Sequence, residues 1–340
     1  MLSRRALLGV AGGLMAGCRK GQVDADGPRQ AAAAAPIATS ATAAAAAPIA
    51  TSATAAATPT TSTEETTMRT RAHPRTHEAL PVIGMGTWQT FDVGRDAGER
   101  APLREVLAQF AGAGGRVIDS SPMYGRAEAV AGDLVAETGA PARPFWATKV
   151  WTRGRSEGEA QIEQSMRLLR TDRLDLLQVH NLLDFDNHIA TLRRLRDAGR
   201  VRYLGITHYT HSGLDELERV LRREPLDFVQ LPYSAATRGA EQRLLPTAAE
   251  LGVAVLVMRP FDGGSLFERV KGQPLPAWAA DLDCTSFGQL FLKFILGHPA
   301  VHCPLPATSS PKHMADNVRA GFGRLPDTAE REKIAALVAG

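Results

Sequence analysis

Cysteine is scarce in this sequence. Cys18, Cys284 and Cys303 are its three, too few and too widely spaced for a disulfide framework or a paired-cysteine zinc site. An excess of one charge is also missing: Lys and Arg exceed Asp and Glu by only 3, no long basic run is present, and a nucleic-acid partner is therefore not expected. No apolar run reaches the roughly 18 residues of a membrane-spanning helix. What the 340 residues do hold, at 44% hydrophobic and 22% charged, is enough apolar side chain for a sizeable core, which excludes a wholly disordered chain.

The beginning of the chain reads as an address rather than as part of that core. Ser3-Arg4-Arg5-Ala6-Leu7-Leu8 sets two arginines ahead of an apolar stretch from Ala6 to Ala16, a length suited to the centre of a signal peptide. Residues 1–18 resemble a twin-arginine signal, which implies the twin-arginine export machinery as a partner. Met15-Ala16-Gly17-Cys18 is similar to the cleavage box of bacterial lipoproteins, although Met15 stands where leucine is usual. That likeness implies a lipid on Cys18 and a hold on a membrane surface, each buried methylene contributing about 0.8 kcal/mol; simple cleavage near the same place is the alternative. The expected location is exported, periplasmic or membrane-anchored. Translation from Met68 would remove signal and tether together and leave a cytoplasmic protein.

From Gln30 to Thr63 there is no charge and almost only Ala, Thr, Ser and Pro, with the stretch from Ala35 to Thr42 recurring from Ala47 to Thr54. Alanine favours helix, but threonine and proline interrupt every candidate segment, so residues 19–77 are expected to be a flexible linker.

From about residue 78 the pattern changes to short β-branched runs alternating with longer amphipathic ones. Eight runs begin near Val82, Arg116, Phe145, Leu174, Tyr203, Phe228, Val253 and Val301, at spacings of 34, 29, 29, 29, 25, 25 and 48 residues. Each interval suits one strand and one returning helix. Leu103, Val106, Leu107 and Phe110 form one apolar helical stripe, and Ile162, Met166, Leu168 and Leu169 another. A closed (β/α)8 TIM barrel takes about 250 residues, which the stretch from Glu78 to Leu325 supplies, and the barrel domain is assigned to residues 78–340. The rival open doubly wound sheet wants G-x-G-x-x-G after its first strand. Gly84-Met85-Gly86-Thr87-Trp88 is not that.

In a barrel of this kind catalytic side chains lie at the carboxyl ends of the strands. Asp119 closes Arg116-Val117-Ile118-Asp119, Tyr124 follows in the next loop, Lys149 closes the run from Phe145, and His180 closes the run ending Gln178-Val179-His180. Together they point into one mouth. With Gly84-Met85-Gly86-Thr87-Trp88, Asp119-Ser120-Ser121-Pro122-Met123-Tyr124-Gly125 and Gln178-Val179-His180-Asn181, the chain resembles the aldo/keto reductase family over roughly residues 78–322. The family's catalytic tetrad falls on Asp119, Tyr124, Lys149 and His180.

Reducing a carbonyl needs a hydride on carbon and a proton on oxygen. Tyrosine holds its proton at neutral pH, and a nearby ammonium lowers the phenol's pKa from about 10. Lys149 is expected to be that cation, Asp119 to keep it charged, and His180 to donate to the substrate oxygen. No side chain supplies a hydride, so a nicotinamide is required.

The resemblance implies NADP(H), with NAD(H) as the alternative. Gln230 falls at the position that bonds the nicotinamide carboxamide, and Thr207 and His208 stand where the family often has Ser-Asn. Met258 takes the position of the aromatic that stacks on nicotinamide and Arg259 that of a serine; Arg259 with Gly263 and Gly264 could grip the pyrophosphate. Ser310 and Pro311 read as a helix start, and the resemblance assigns Thr308, Ser309, Lys312 and His313 to the adenosine 2′-phosphate and Asn317 to adenine. Ala307 and His313 replace the usual lysine and arginine. Trp88 and Trp151 are expected as pocket walls for a small carbonyl substrate. His208 and His211 have no carboxylate or cysteine close by, so no metal is expected. A second reading is a nucleotide-binding, non-catalytic redox-sensing or partner-binding barrel; the intact tetrad favours the enzyme.

Overall fold

The computed structural model describes residues 67–339, so the expected signal peptide and most of the expected linker lie outside the described residues. Within them a parallel eight-stranded sheet runs in chain order through β3 (Met85–Gly86), β4 (Val117–Asp119), β5 (Phe145–Val150), β6 (Leu174–His180), β7 (Val201–Thr207), β8 (Phe228–Pro232), β9 (Ala254–Met258) and β10 (Cys303–Pro304). Helices return the chain each time: α1 (Ala97–Gly112), α2 (Ala127–Thr138), α3 (Arg155–Leu168), α4 (Phe185–Asp197), α5 (Leu214–Arg223), α6 (Leu244–Glu250), then the short α7 (Ser265–Arg269) and α8 (Phe287–Leu296). α9 (Pro311–Arg319) and α10 (Thr328–Ala336) follow β10. The strands begin within three residues of the runs read from the sequence. The longest interval holds an extra helix, α7, and a 3-10 turn over Ala277–Leu282.

The sheet closes on itself between β3 and β10. Gly84 N donates to Pro304 O at 3.0 Å, Gly86 N donates to Pro306 O at 3.1 Å, and Gly86 bridges Ala307 in parallel. Glycine is required at this seam by close approach: a Cβ on Gly84 would lie 2.6 Å from Leu305 Cδ2 and 3.2 Å from the Val117 carbonyl oxygen. Closure leaves no unpaired strand edge in the barrel.

Ahead of the barrel, β1 (Thr70–Ala72) and β2 (Ala79–Pro81) pair antiparallel, Thr70 opposite Pro81 and Ala72 opposite Ala79. This corrects the linker boundary, since folded chain begins before residue 78. The strand is three residues long, has no apolar alternation and runs up to Pro74, so nothing local announces it. Its use lies in the loop that follows: the buried His73 ring stacks on Tyr203 at 5.0 Å between centroids and lies 5.0 Å from Phe228, plugging the amino-terminal end of the barrel.

Alternate residues of each strand face the barrel axis. One parity gives an apolar layer of Val117, Phe145, Ala147, Leu176, Tyr203, Phe228, Ala254, Leu256 and Cys303. The other parity, including Ile118, Leu177, Val179, Ile206, Val229 and Val257, packs outward on the helices with the stripe Leu103, Val106, Leu107 and Phe110 of α1. Continuing the inward parity toward the carboxyl ends, the next side chains are Asp119, Lys149, Gln178 and Gln230. A polar layer therefore sits on an apolar floor. Gly205 belongs to the same level, and a Cβ there would lie 3.1 Å from Gln178 Cγ and 3.0 Å from Phe228 O; glycine leaves the room that Gln178 occupies.

At the opposite, amino-terminal end a basin of about 1240 Å³ is lined by Glu78, Arg116, Asp175, Arg200 and Arg202, among others. In it Arg116 pairs with Glu78 at 2.7 Å and Arg202 with Asp175 at 2.6 Å. The apolar floor separates it from the polar layer.

Phe228 is fully buried at the centre of that floor. Phe228→Ala is expected to cost about 3–5 kcal/mol of stability, read from the urea unfolding midpoint; a loss below about 1 kcal/mol would mean the floor is not a packed layer.

Candidate active site

Lys149 has no solvent exposure, so its charge must be met entirely by protein. Its ammonium donates to Asp119 Oδ1 at 2.9 Å, to Asp119 Oδ2 at 2.8 Å and to Ser120 O at 2.7 Å, which uses all three hydrogens. Burial works to lower the lysine's pKa, but the Asp119 charge, Tyr124 and the bonds to Asp119 outweigh it, and the net direction is upward. Asp119 is held in turn by Gln178 Nε2 at 3.4 Å and Gln230 Nε2 at 3.2 Å, while Gln178 Nε2 also donates to Gln230 Oε1 at 3.1 Å.

Tyr124 stands in the loop from β4 to α2, where its N–H donates to Ser121 O at 3.0 Å and its carbonyl accepts from Ala127 N at 3.1 Å. This turn lays the ring against Lys149, whose Nζ is 5.2 Å from the ring centroid. The expected direction of the phenol's shift needs correcting. Lys149 does pull the pKa down, but shielding of the phenol from water pushes it up more strongly, and the net value is raised.

The His180 ring meets Tyr124 edge-on at 6.1 Å between centroids. Burial first, then the Lys149 charge and His208, push its pKa down to about 3, so the imidazole is neutral at neutral pH. His180 Nδ1 is 3.1 Å from Ser121 Oγ. Trp88 lies 6.5 Å from Tyr124 and Trp151 6.3 Å from His180, ring to ring, and the two indoles are 50% and 40% exposed at the rim. Gln161 of α3 clamps the Trp151 backbone, accepting from its N–H at 2.6 Å and donating to its carbonyl at 3.2 Å. The four residues read from the motifs and both indoles are therefore gathered at one mouth.

Thr207 ends β7 in register between His180 and Gln230. Its Oγ1, like Gln178 Oε1 and Asn181 Oδ1, is buried with no hydrogen-bond partner among the described residues. His208 Nδ1 accepts from Thr210 N at 3.2 Å and lies 3.0 Å from Thr210 Oγ1, which leaves Nε2 free to donate. Met258 is half-buried at the end of β9 opposite Pro232. Arg259 is exposed, with a left-handed φ of 53°, and a Cβ on Gly263 would lie 3.4 Å from its guanidinium.

Thr308 through Asn317 form a separate group beyond β10. Ser310 caps α9 by accepting from His313 N at 3.4 Å, and Thr308 Oγ1 accepts from Ser310 N at 3.0 Å. Ser309, Lys312 and His313 are exposed around this helix start, while Thr308 and Asn317 are buried.

Gln178, Ser121, Ser120 and Gln161 were not singled out from the sequence. Only Gln178 carried a usable signal: it lies two residues before His180 on β6 and so shares its inward face.

The depressed pKa of His180 has a consequence for stability. An unfolded imidazole takes up its proton near 6.5 and the folded one near 3, so the unfolded chain binds more protons in that window and stability falls as pH drops through it. His298 and His302, both pushed down to about 4, act in the same direction. His180→Gln is expected to reduce the acid slope of the urea-unfolding free energy between pH 6 and 4 by about 1 kcal/mol per pH unit. An unchanged slope would mean that the ring is not shielded.

Compared with known proteins, residues 82–337 match the aldo/keto reductase family. The methylglyoxal reductase YeaE of Escherichia coli is 29% identical over 248 residues, 70% of this chain and 84% of that protein. An aldo/keto reductase from Klebsiella pneumoniae solved in complex with NADP and acetate superposes with a TM-score of 0.65 at 25% identity, covering 80% of this chain and 95% of that one. An aldo-keto reductase from the same organism in complex with NADPH gives the same TM-score of 0.65, identity of 25% and coverage of 80% and 95%. With the matched region spanning most of the sequence, and the mouth built as described, the chain belongs to the aldo/keto reductase family.

Proposed function

We propose that the barrel reduces aldehydes or ketones to alcohols with NADP(H), Tyr124 acting as general acid. The observation that carries this reading is the buried ammonium–carboxylate pair of Lys149 and Asp119 set against a shielded phenol, with a neutral imidazole across the mouth. A phenol holds its proton at neutral pH, and partial burial of Tyr124 moves its pKa further up. As that proton passes to the carbonyl oxygen, the phenolate forms beside the Lys149 charge, which Asp119 holds in place. His180 donates from Nε2 to the same oxygen, orienting the carbonyl and stabilising the charge that builds there. When bound, a nicotinamide would supply the hydride that carbon requires.

The residues present fit such a cofactor. At the level of Gln230 the buried Thr207 hydroxyl has no partner among the described residues, and a carboxamide offers both a donor and an acceptor to that pair. His208 Nε2 adds a donor, Met258 would lie against the ring, and Arg259 with Gly263 and Gly264 would hold the pyrophosphate. The first turn of α9 suits an anion, with the Lys312 amide, the helix dipole, and the Lys312 and His313 side chains beside Thr308 and Ser309; Asn317 would meet adenine. The Klebsiella pneumoniae relatives, crystallised with NADP or NADPH, support the phosphorylated cofactor over NAD(H). Trp88 and Trp151 would wall the substrate, and the YeaE likeness puts small dicarbonyls such as methylglyoxal among the carbonyls to test.

Tyr124→Phe is expected to lower kcat for aldehyde-dependent NADPH oxidation by roughly 10²–10⁴-fold while cofactor binding, read by fluorescence quenching, persists. Near-normal turnover would refute the assignment. In the same assay NADPH should give the higher catalytic efficiency, and a clear NADH preference would overturn the cofactor choice.

The export reading carries the enzyme outside the cytoplasm on the strength of Arg4, Arg5 and Cys18. The twin-arginine route carries folded proteins, so cofactor would travel already bound. Cell fractionation should recover the chain processed near Cys18 outside the cytosol, and full-length chain in the cytosol would count against export.

A further inference from the structure

We infer that Ser121 is a positioning residue that fixes His180 in the tautomer carrying its proton on Nε2, by donating its own hydroxyl proton to Nδ1. The inference rests on the reductase reading for its consequence in catalysis but not for its geometry.

Ser121 Oγ lies 3.1 Å from His180 Nδ1, and both residues are buried, with exposures of 1% and 4%. Two arrangements satisfy that distance. In one the hydroxyl donates to an unprotonated Nδ1; in the other Nδ1–H donates to the hydroxyl oxygen, and the hydroxyl proton must find another acceptor. Among the described residues Ser121 Oγ has no second hydrogen-bond partner. The second arrangement would therefore bury an unpaired O–H, whereas the first leaves only the Nε2–H of His180, which is not among the buried atoms without a partner and opens on the mouth.

Because the imidazole is neutral, it has a single N–H to place. With Nδ1 committed as an acceptor, that N–H is on Nε2. It can then bond a carbonyl oxygen brought against Tyr124, whereas the other tautomer would face that oxygen with a lone pair.

The residue is well placed to act on both groups at once. Its carbonyl accepts the Tyr124 N–H at 3.0 Å, and its neighbour Ser120 binds the Lys149 ammonium through its carbonyl and accepts from the Thr87 hydroxyl at 2.9 Å. One turn after β4 thus holds the acid, the cation and the orientation of the imidazole.

The test is ¹⁵N NMR of the histidine-labelled chain, with the His180 resonances assigned from the His180→Gln spectrum, alongside steady-state carbonyl reduction. In the wild type His180 should be neutral with its proton on Nε2 and a hydrogen-bonded Nδ1. Ser121→Ala should move the Nδ1 resonance and lower kcat by about tenfold, with cofactor binding unchanged. Ser121→Thr, which keeps the hydroxyl, should preserve the wild-type pattern. A proton on Nδ1 in the wild type, an unmoved Nδ1 resonance in Ser121→Ala whatever happens to kcat, or a Ser121→Thr spectrum like that of Ser121→Ala would overturn the proposal. If the wild type fails to reduce any carbonyl, the reductase reading falls, and the NMR arm still decides the tautomer.

Discussion

The buried pair between Lys149 and Asp119 is the constraint that the rest of the mouth answers to. An ammonium without solvent is costly unless every hydrogen is met and the counter-charge is close, and here two carboxylate oxygens and the Ser120 carbonyl meet it. Asp119 in turn needs donors, which Gln178 and Gln230 supply from strands on either side of β7. The apolar floor of Phe145, Leu176, Tyr203 and Phe228 keeps water from reaching the pair from below. The charges are thus held by geometry rather than by solvent, and they remain strong toward whatever enters from above.

Each neighbouring group takes its state from that pair and from the exclusion of water. His180 is neutral because burial and the Lys149 charge both disfavour a second cation. Tyr124 is protonated as any phenol is at neutral pH, and burial pushes its pKa further up although the Lys149 ammonium favours the phenolate once it forms. At rest the site therefore holds one positive charge, one negative charge and two neutral donors, a phenol and an imidazole. Stabilisation of an oxygen anion by such fixed groups requires little rearrangement as charge develops.

Much of this was readable along the chain because the barrel repeats one local rule. Strand starts, the α1 stripe and the cap at Ser310 follow from period and capping chemistry, and the motifs at Asp119, Tyr124, Lys149 and His180 fall at strand ends. Gln178 was hidden in plain view, since only its parity with His180 marks it as facing the axis. Ser121 and the His73 plug were hidden more thoroughly. Each acts across 59 residues or more, Ser121 on His180 and His73 on Tyr203 and Phe228, and no local pattern records a partner so far away. The sign of the Tyr124 shift was misread for a related reason: a neighbouring charge is visible in a motif, but the amount of water excluded is not.

The amino-acid order by itself determined the strand-and-helix alternation, which side chains face inward, and the chemical types available at the mouth, because those depend on periods of two and 3.6 residues and on side-chain identity. Tertiary structure alone decided that Gly84 and Gly86 would seal the ring against Pro304 and Pro306, that a serine would meet an imidazole, and that burial would outweigh charge at the phenol. Those outcomes depend on distances between segments far apart in the chain and on the solvent they displace together, quantities that exist only once the barrel has closed.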